Sequence, residues 1–383
     1  MADTIPGYGA NDGSNIPCIN DNNMVIVFVT MSLWDEPHRG RHHFANILSK
    51  NHSVIWINRN LKKSEKKSGT GIEHIRDGLY VLHTGYPVIS PRLDSRLNVN
   101  VRFRHRQLQS ALKKLGLQST PDLVWIYDYR AHNFTSYYRP KTKALYFCND
   151  YFGEAAYNRF ERKLAGKVDF VFCTAPALKE RFEHLNNNTI FLPHGVHLPD
   201  ISPRFSKKKK PSTAGYVGTF RNVIDVSFLK KIAAEADTRL ILAGPFIGCS
   251  SEKRKELESL FDHERVEYRG NLTGDGIFRT IKELDVCLLP YEISFKTKHN
   301  FVIKYFEYLA LGKPMLATPY FNWPEPYASF VTTASNGYNA AELLERVYSD
   351  WTESKFRQAV ELAKNNTWQH RIDTISEYTG LDL

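Results

Sequence analysis

Two charged side chains stand three residues apart in a stretch of the sequence that is otherwise apolar and aromatic. The stretch runs from Phe301 to Leu311, and within it only Lys304 and Glu307 carry charge. Residues three apart lie on one face of an α-helix, so a helix here would place a cation beside an anion. The other faces would be buried, and charges are seldom buried unless they are paired or functional. The spacing therefore favours a polar ligand in a cleft over an ion pair on a solvated surface.

The same stretch continues into a turn and a short strand, and together they resemble a known family. The sequence FEYLALGKPMLAT, residues 306–318, has Gly312 where a helix C-cap is expected. It resembles the nucleotide-sugar-binding segment of group 1 glycosyltransferases, which have the GT-B fold. The resemblance implies that Glu307 holds the ribose hydroxyls of a nucleotide diphosphate sugar and that Lys304 holds its diphosphate. Many members carry another Glu eight residues earlier, where this sequence has His299, so the stereochemical outcome stays open.

Further candidate donor-binding residues follow strand-like segments in the same half of the chain. Gly218 would let a phosphate approach the backbone, the start of the next helix would favour the anion, and Arg221 could add a bidentate contact. The resemblance implies that Asn271 and Leu272 lie where relatives hold the base, and that Tyr291 faces the cleft. The predicted donor-binding residues are Gly218, Thr219, Arg221, Asn271, Leu272, Tyr291, Asn300, Lys304 and Glu307.

Asp150 is the candidate catalytic base, because it ends the strand-like segment KALYFCND in the half of the chain opposite the donor. An attacking acceptor hydroxyl needs a carboxylate or histidine within hydrogen-bond reach. His194 is the second catalytic candidate and Asp128 a further competitor, and Asp150 could also merely cap a helix. The segment P-x-R…H-F after the first strand, Asp150 and the later HGV resemble the membrane-associated glucuronosyltransferases of xanthan assembly. Those relatives have an Asp in the place of Asp150.

Alternating strands and helices must position these residues, and they predict an α/β protein. Unbroken apolar runs bounded by turn signals indicate buried parallel strands. Such runs occur at 24–30, 53–58, 79–83, 122–128, 143–150, 169–175, 188–196, 213–220, 239–245, 265–270, 285–291 and 314–319. The repeated strand–helix order predicts two Rossmann-like, doubly wound domains, which the resemblance would place face to face across a cleft as GT-B.

The domain boundaries follow from changes in composition. We expect a disordered tail at 1–23, an acceptor-binding domain at 24–198, a linker with four consecutive lysines at 199–212, a nucleotide-sugar-binding domain at 213–351, and terminal helices at 352–383. The resemblance implies that the last of these helices crosses back to the first domain.

The charge distribution predicts an anionic partner. The formal net charge is +10, and residues 59–114 contain thirteen Lys or Arg against four acids. Leucines interleave with the cations where a helix from about residue 95 to 115 is expected, so this region could rest on an anionic membrane surface or be simply solvated. No signal peptide or transmembrane span is indicated, and five widely spaced cysteines suggest reduced thiols. We therefore expect a cytoplasmic protein, attached peripherally to the inner face of the membrane.

Three functions remain open at this point. The leading hypothesis is sugar transfer from a nucleotide sugar, first of all a UDP-sugar, to a glycolipid or oligosaccharide acceptor in cell-surface glycan biosynthesis (exopolysaccharide, lipopolysaccharide or capsule). No further cofactor is expected, and no metal, since no Asp-x-Asp stands at a strand end. A nucleotide-sugar epimerase of the same fold is the alternative. A nucleic-acid-binding protein is disfavoured, because the basic residues match no recognisable nucleic-acid-binding module.

Overall fold

A computed structural model of the chain describes residues 23–36, 39–65, 69–90, 93–94, 97–138, 142–149 and 158–383. Asp150, the predicted base, lies outside the described residues. Two separate sheets carry the strands, one built from the first half of the chain and one from the second. The central strands of both sheets are buried along their whole length, as expected for strands formed by the unbroken apolar runs of the sequence.

The first sheet has eight strands. They are β1 (Val25–Val29), β2 (Ser53–Ile57), β3 (Gly71–Arg76), β4 (Leu79–His83), β5 (Leu123–Ile126), β6 (Lys143–Cys148), β7 (Phe170–Cys173) and β8 (Thr189–Phe191). Their spatial order is β3-β4-β2-β1-β5-β6-β7-β8. All neighbours pair in parallel except β3 and β4, which are antiparallel. Chain order reverses at β1, so this sheet is doubly wound.

The second sheet has six strands, all paired in parallel. They are β9 (Thr213–Val217), β10 (Arg239–Ala243), β11 (Val266–Tyr268), β12 (Val286–Leu289), β13 (Met315–Ala317) and β14 (Val331–Thr333). The order β11-β10-β9-β12-β13-β14 reverses at β9. The fold class is therefore the predicted one, with two doubly wound, Rossmann-like sheets.

Two strands are not indicated by the sequence pattern, β3 and β14. The β3 segment GIEHIR is half-exposed or exposed throughout, and it adds an antiparallel edge to the sheet beside a stretch that reads as polar loop. The β14 segment has only three residues, none of them fully buried. Short or exposed edge strands lack the buried apolar run on which strand prediction depends.

The helices cover the faces of the two sheets. They are α1 (Gly40–Leu48), α2 (Val99–Lys114), α3 (Asn158–Ala165), α4 (Pro176–Phe182), α5 (Val226–Glu235), α6 (Ser251–Phe261), α7 (Asp275–Glu283), α8 (Lys304–Ala310), α9 (Ala340–Ser349), α10 (Glu353–Lys364) and α11 (Trp368–Thr379). Helix α8 is shorter than the apolar run suggests, since Phe301 and Val302 precede its first turn. The terminal segment forms two helices, α10 and α11, and the Thr367 side chain caps the second by accepting a hydrogen bond from the His370 amide.

The last helix packs against the first sheet's layer of helices. In α11 the Trp368 ring meets Phe44 of α1 edge-on, with ring centroids 5.2 Å apart. Thr367 also forms a parallel bridge to Val196, just before the linker. The C-terminal helix therefore joins the core of the first domain although it follows the second. In the part of the chain covered by these elements and their connections, no described helix has the length and hydrophobicity of a membrane span.

Candidate active site

The predicted cation and anion of α8 form an ion pair. Lys304 Nζ lies 2.7 Å from Glu307 Oε2, and the two side chains are 20% and 17% exposed. The residues between and around them, Tyr305, Phe306 and Tyr308, are fully buried. Both charges therefore stand at the edge of the core, where solvent or a ligand can reach them but most of their surroundings are protein.

Gly218 lies directly against this pair. It is the residue after β9, at the point where chain order reverses, which is where open α/β sheets bind ligands. A Cβ atom at residue 218 would stand 2.7 Å from Lys304 Cε and 2.8 Å from Tyr216 Oη. The Lys304 side chain therefore fills the space beside Gly218, so two segments predicted to bind the donor meet in the fold.

Two more glycine turns extend this edge of the sheet. The Gly218 amide donates to the Ala243 carbonyl at 2.8 Å, and the Gly244 amide donates to the Gly270 carbonyl at 2.7 Å. Gly244 has φ +140°, and a Cβ there would overlap the Gly218 carbonyl oxygen. The exposed Asn271 and half-buried Leu272 follow on the third turn. The carboxyl ends of β9, β10 and β11 thus form one rim, with the predicted base-binding residues at its far end.

The helix that follows Gly218 is capped by an aspartate of the chain itself. Helix α5 begins only at Val226, and the Asp225 carboxylate accepts a hydrogen bond from the Phe228 amide at 3.0 Å. The Asp225 carboxylate caps one amide of this helix end, and the preference of the helix end for a phosphate stays a prediction. Gly218, Lys304 and the half-buried Arg221 are the side chains and turn nearest to the candidate phosphate position.

Tyr291 belongs to the buried wall behind the pair. Its Oη lies 3.4 Å from Tyr216 Oη, and its amide donates to Thr318 Oγ1 at 3.0 Å. Burial raises the pKa of Tyr291 to about 12, against a smaller opposite effect of the nearby Arg221 charge. Tyr216 in turn donates to the Thr219 carbonyl at 3.1 Å. Tyr291 and Thr219 are thus tied to the site through Tyr216, which the sequence did not single out.

Tyr308 is a second tyrosine that the sequence pattern did not single out as functional. Its hydroxyl accepts a hydrogen bond from the Val217 amide at 3.2 Å, one residue before Gly218. This contact fixes α8 against β9. The only sequence signal for a role of Tyr308 is its position next to Glu307 in the segment FEYLALGKPMLAT. Its apolar neighbours in that segment suggest core packing instead.

The segment before α8 is held by local hydrogen bonds. His299 is buried, and its Nδ1 lies 2.5 Å from the Phe295 carbonyl. Burial lowers the pKa of His299. The half-buried Asn300 donates its amide to the Thr297 carbonyl at 3.0 Å. The position of the family's additional Glu is therefore taken by a histidine that stabilises a turn.

His194 lies at the junction between the two halves of the chain. Its side chain is buried, and burial lowers its pKa to about 4, with a smaller contribution from Arg371. Its carbonyl accepts two hydrogen bonds at 3.3 Å from the Arg371 guanidinium, which also stands 5.6 Å from the Phe306 ring of α8. Among the described residues, no group hydrogen-bonds to His194 Nδ1. His194 is therefore neutral at pH 7, and the Arg371 side chain links it to α8, the helix that carries Lys304 and Glu307.

Asp128, the competing base candidate, is fully engaged in structure. Its carboxylate lies 2.7 Å from Arg130 Nε and 3.6 Å from Arg104 NH1. Burial alone would raise the pKa of Asp128, but the two guanidinium groups outweigh it and the pKa is lowered. A carboxylate with two cationic partners is a weak proton acceptor.

Comparisons with known proteins give a family match for part of the chain and fold matches for most of it. Residues 211–350 match the family model "Glycosyl transferases group 1". Similar solved structures include the sucrose-phosphate synthase of Thermosynechococcus elongatus (TM-score 0.68, 14% identity, 94% of this chain and 99% of that one) and HepE of Anabaena in complex with UDP (0.63, 13%, 94% and 99%). The lipopolysaccharide outer core galactosyltransferase WaaB is also similar (0.62, 13%, 94% and 100%). No curated protein sequence matches closely enough to count as a relative.

The fold of the chain is thus the GT-B fold of these neighbours, over nearly its whole length. The family match covers the second sheet and the Lys304–Glu307 pair, and it supports a group 1 glycosyltransferase. Among the described residues, no group of three or more His, Cys, Asp or Glu side chains is arranged to hold a metal ion.

Proposed function

We propose that this protein transfers a sugar from a nucleotide diphosphate sugar to a glycolipid or oligosaccharide acceptor in cell-surface glycan biosynthesis. The observation that carries the proposal is the meeting of Gly218 with the Lys304–Glu307 pair at the reversal point of the second sheet. A UDP-sugar is the first donor to test, because HepE, a neighbour in fold, is known in complex with UDP.

Each donor-site residue receives a role from its chemistry. Lys304 and Arg221 would neutralise the charge that develops on the leaving diphosphate, as preorganised cations do in transferases, so the proposal needs no metal ion. Glu307 would accept hydrogen bonds from ribose hydroxyls, and charge-assisted bonds of this kind are among the stronger ones. Asn271 and Leu272 would contact the base.

Nucleotide binding is the first test. A ligand that binds only the folded protein raises its melting temperature, so UDP or GDP should stabilise the protein and oligonucleotides should not. Stabilisation by oligonucleotides alone would reject a nucleotide-sugar enzyme. Labelled nucleotide sugars, UDP-glucuronic acid among them, should then label a membrane lipid extract. Conversion of the nucleotide sugar without any acceptor product would favour the epimerase instead.

The proposed base is Asp150, with His194 as the alternative. If Asp150 takes the acceptor proton, Asp150→Asn should slow transfer by about 10²–10⁴-fold, the usual contribution of general base catalysis, and leave donor affinity unchanged. His194→Gln should then retain most of the activity. Near-normal turnover of Asp150→Asn with loss in His194→Gln would assign the role to the histidine.

The proposed location is the inner face of the cytoplasmic membrane. Large apolar side chains are exposed at the start of α2 and just before it: Leu93 and Leu97 are each 56% exposed and Phe103 is 40% exposed. The exposed Arg102 and Arg106 stand on the same helix. Apolar side chains beside cations favour an anionic bilayer surface, which would bring the enzyme to a lipid-linked acceptor.

A further inference from the structure

The two most exposed large apolar side chains among the described residues stand on one loop of the second domain. Ile293 is 70% exposed and Phe295 is 62% exposed, and both lie between β12 and α8. Single exposed apolar residues are normal on a protein surface, but neighbouring ones that form a patch mark an interaction site. Residues 292–299 are called the β12–α8 loop below.

The β12–α8 loop is held in shape by its own hydrogen bonds. Thr297 is buried, and its Oγ1 accepts from the Ser294 amide at 2.9 Å and donates to the Glu292 carbonyl at 2.6 Å. The Lys298 amide donates to the Ser294 carbonyl at 3.0 Å. At the base of the loop, the Glu292 amide donates to the Val223 carbonyl at 2.8 Å. The exposure of the two apolar side chains is therefore built into the structure of the turn.

The β12–α8 loop also carries positive charge. Lys296 and Lys298 are both exposed, and the Lys298 Nζ atom lies 3.9 Å from the centroid of the Phe295 ring. The only acid of the loop, Glu292, is paired with Lys253 at 2.7 Å. Apolar side chains beside cations suit an anionic bilayer surface, where the former enter the headgroup region and the latter contact lipid phosphates.

The apolar surface continues from the loop into an open hollow of about 590 Å³. Ile293 and Lys298 border this hollow, and Pro319, Phe321 and Val331 belong to its lining. Its ten lining residues all lie in the described part of the chain, and none of them is acidic. The surface that is both apolar and cationic is therefore wider than the loop alone.

The β12–α8 loop lies where the two domains meet. Its turn at 297–299 packs against α4 of the first domain. In the chain, the loop connects Tyr291 of the buried wall to the segment that enters α8 and carries Lys304. Contact of this loop with a bilayer would therefore bring the boundary between the domains, and the donor site beside it, to the membrane surface.

We infer that the β12–α8 loop is a membrane-contact site of the second domain, in which Ile293 and Phe295 enter an anionic bilayer and Lys296 and Lys298 bind lipid phosphates. The inference rests on the proposed function for its lipid-linked acceptor and deepens it. It differs from the proposed attachment through the first domain, because a second contact on the donor-binding domain fixes the orientation of both domains relative to the bilayer.

A tryptophan placed in the loop tests insertion directly. Phe295→Trp keeps a ring at an exposed position, whereas five of the six native tryptophans are buried. Vesicles of phosphatidylglycerol brominated on the acyl chains should quench its fluorescence more than that of the wild-type protein, and high salt should remove the difference. The control is Tyr378→Trp in α11, which is 52% exposed but adjoins the exposed Glu377, so no added quenching is expected there.

The double variant Ile293→Ser with Phe295→Ser tests the contribution of the loop to binding. Its affinity for phosphatidylglycerol vesicles should fall at least about 10-fold, because two apolar side chains no longer leave water on binding. Its melting temperature and its affinity for UDP should stay those of the wild type, since both side chains are exposed and neither belongs to the candidate donor contacts. Replacing Lys296 and Lys298 by Gln should reduce the salt dependence of binding.

The inference is overturned if brominated vesicles bind the protein but quench wild type and Phe295→Trp equally, because the loop would then face away from the bilayer. Equal added quenching by neutral phosphatidylcholine vesicles, or no vesicle binding at all, would also overturn it. So would a wild-type protein that self-associates in sedimentation while the serine double variant is monomeric, because the surface would then bind a second copy. UDP binding by the wild type separates each of these failures from a failure of the proposed function.

Discussion

At the scale of single residues, Lys304 and Glu307 are held by each other before any ligand arrives. Their 2.7 Å contact keeps both side chains ordered at the edge of the core. An ordered pair loses little conformational freedom when a ligand binds, which is the advantage of a preorganised site. The same contact means that removing one partner also leaves the other unpaired.

The first prediction concerns this pair. Glu307→Gln and Lys304→Ala should each weaken nucleoside diphosphate binding by about 1–3 kcal/mol, because each removes a charged hydrogen bond to the ligand. Isothermal titration with UDP and GDP measures the effect. The control is the exposed pair Glu361 and Lys364 of α10, which has the same spacing and a 3.5 Å contact. Unchanged affinity in both α8 variants would remove the pair from the donor site.

The second prediction concerns the neutral His194. Its pKa falls from 6.5 in the unfolded chain to about 4 in the fold, so the unfolded state binds the proton first as the pH decreases. As the pH falls from 6.5 to 4, the protein should therefore lose on the order of 3 kcal/mol of its free energy of unfolding because of this group. Above pH 6.5 this group should cause no loss of stability. Urea unfolding of wild type and His194→Gln across this range isolates the contribution, since other titrating groups are common to both. Parallel pH profiles would contradict a buried neutral histidine.

At the scale of secondary-structure elements, the donor site depends on how closely α8 approaches the end of β9. Tyr308 ties the helix to the Val217 amide, and Gly218 leaves the space that Lys304 fills. Neither contact belongs to one element alone. The geometry of the site is therefore a property of the β9–α8 packing.

The third prediction tests this packing. Gly218→Ala should displace Lys304 or Tyr216, because the new Cβ would stand 2.7 Å from one and 2.8 Å from the other. We expect weaker UDP binding and a stability loss of about 1–3 kcal/mol, as for other overpacked sites. Gly69→Ala in the first domain is the control. Its Cβ would meet no atom within 4 Å, so this variant should keep its affinity for UDP. Full UDP affinity in Gly218→Ala would show that Lys304 is not confined by the turn.

At the scale of the whole molecule, α11 connects the two domains. It packs against α1 through Trp368, and its Arg371 bonds the His194 carbonyl while facing Phe306 of the donor helix. Burial lowers the pKa of Arg371 to about 10, so the guanidinium stays charged at neutral pH. The donor helix and the catalytic candidate His194 are therefore held by the same side chain.

The fourth prediction concerns the surface of the first domain. The protein should float with anionic vesicles at low salt and detach at high salt, because the screening length falls from about 10 Å at 0.1 M to about 3 Å at 1 M. Replacing Leu97 and Phe103 by Ser should weaken flotation, since both apolar side chains are exposed beside cations. Leu198→Ser, at a 45% exposed position near the linker, is the control. Equal recovery with neutral vesicles would reject an electrostatic contribution.

The sequence by itself determined the fold class and the segments that carry the donor site. Apolar runs specify the buried parallel strands, and the charges of Lys304 and Glu307 stand out because the surrounding positions are apolar. These signals are local, since each depends on residues within one element. The exposed strand β3 and the short strand β14 lack such a signal, and the sequence pattern does not indicate them.

Only the tertiary structure decided which of these segments meet. Gly218 lies against Lys304 although 86 positions of sequence separate them. They meet because β9 is the strand at which chain order reverses, and no periodicity in the sequence predicts this contact. Tyr320 Oη and Trp323 Nε1 are buried without a hydrogen-bond partner among the described residues, and nothing in the sequence distinguishes these two aromatic residues from others. Hydrophobic patterns record which side of an element is buried. Whether a buried polar atom finds a partner depends on the neighbouring elements, and these are brought together only by packing.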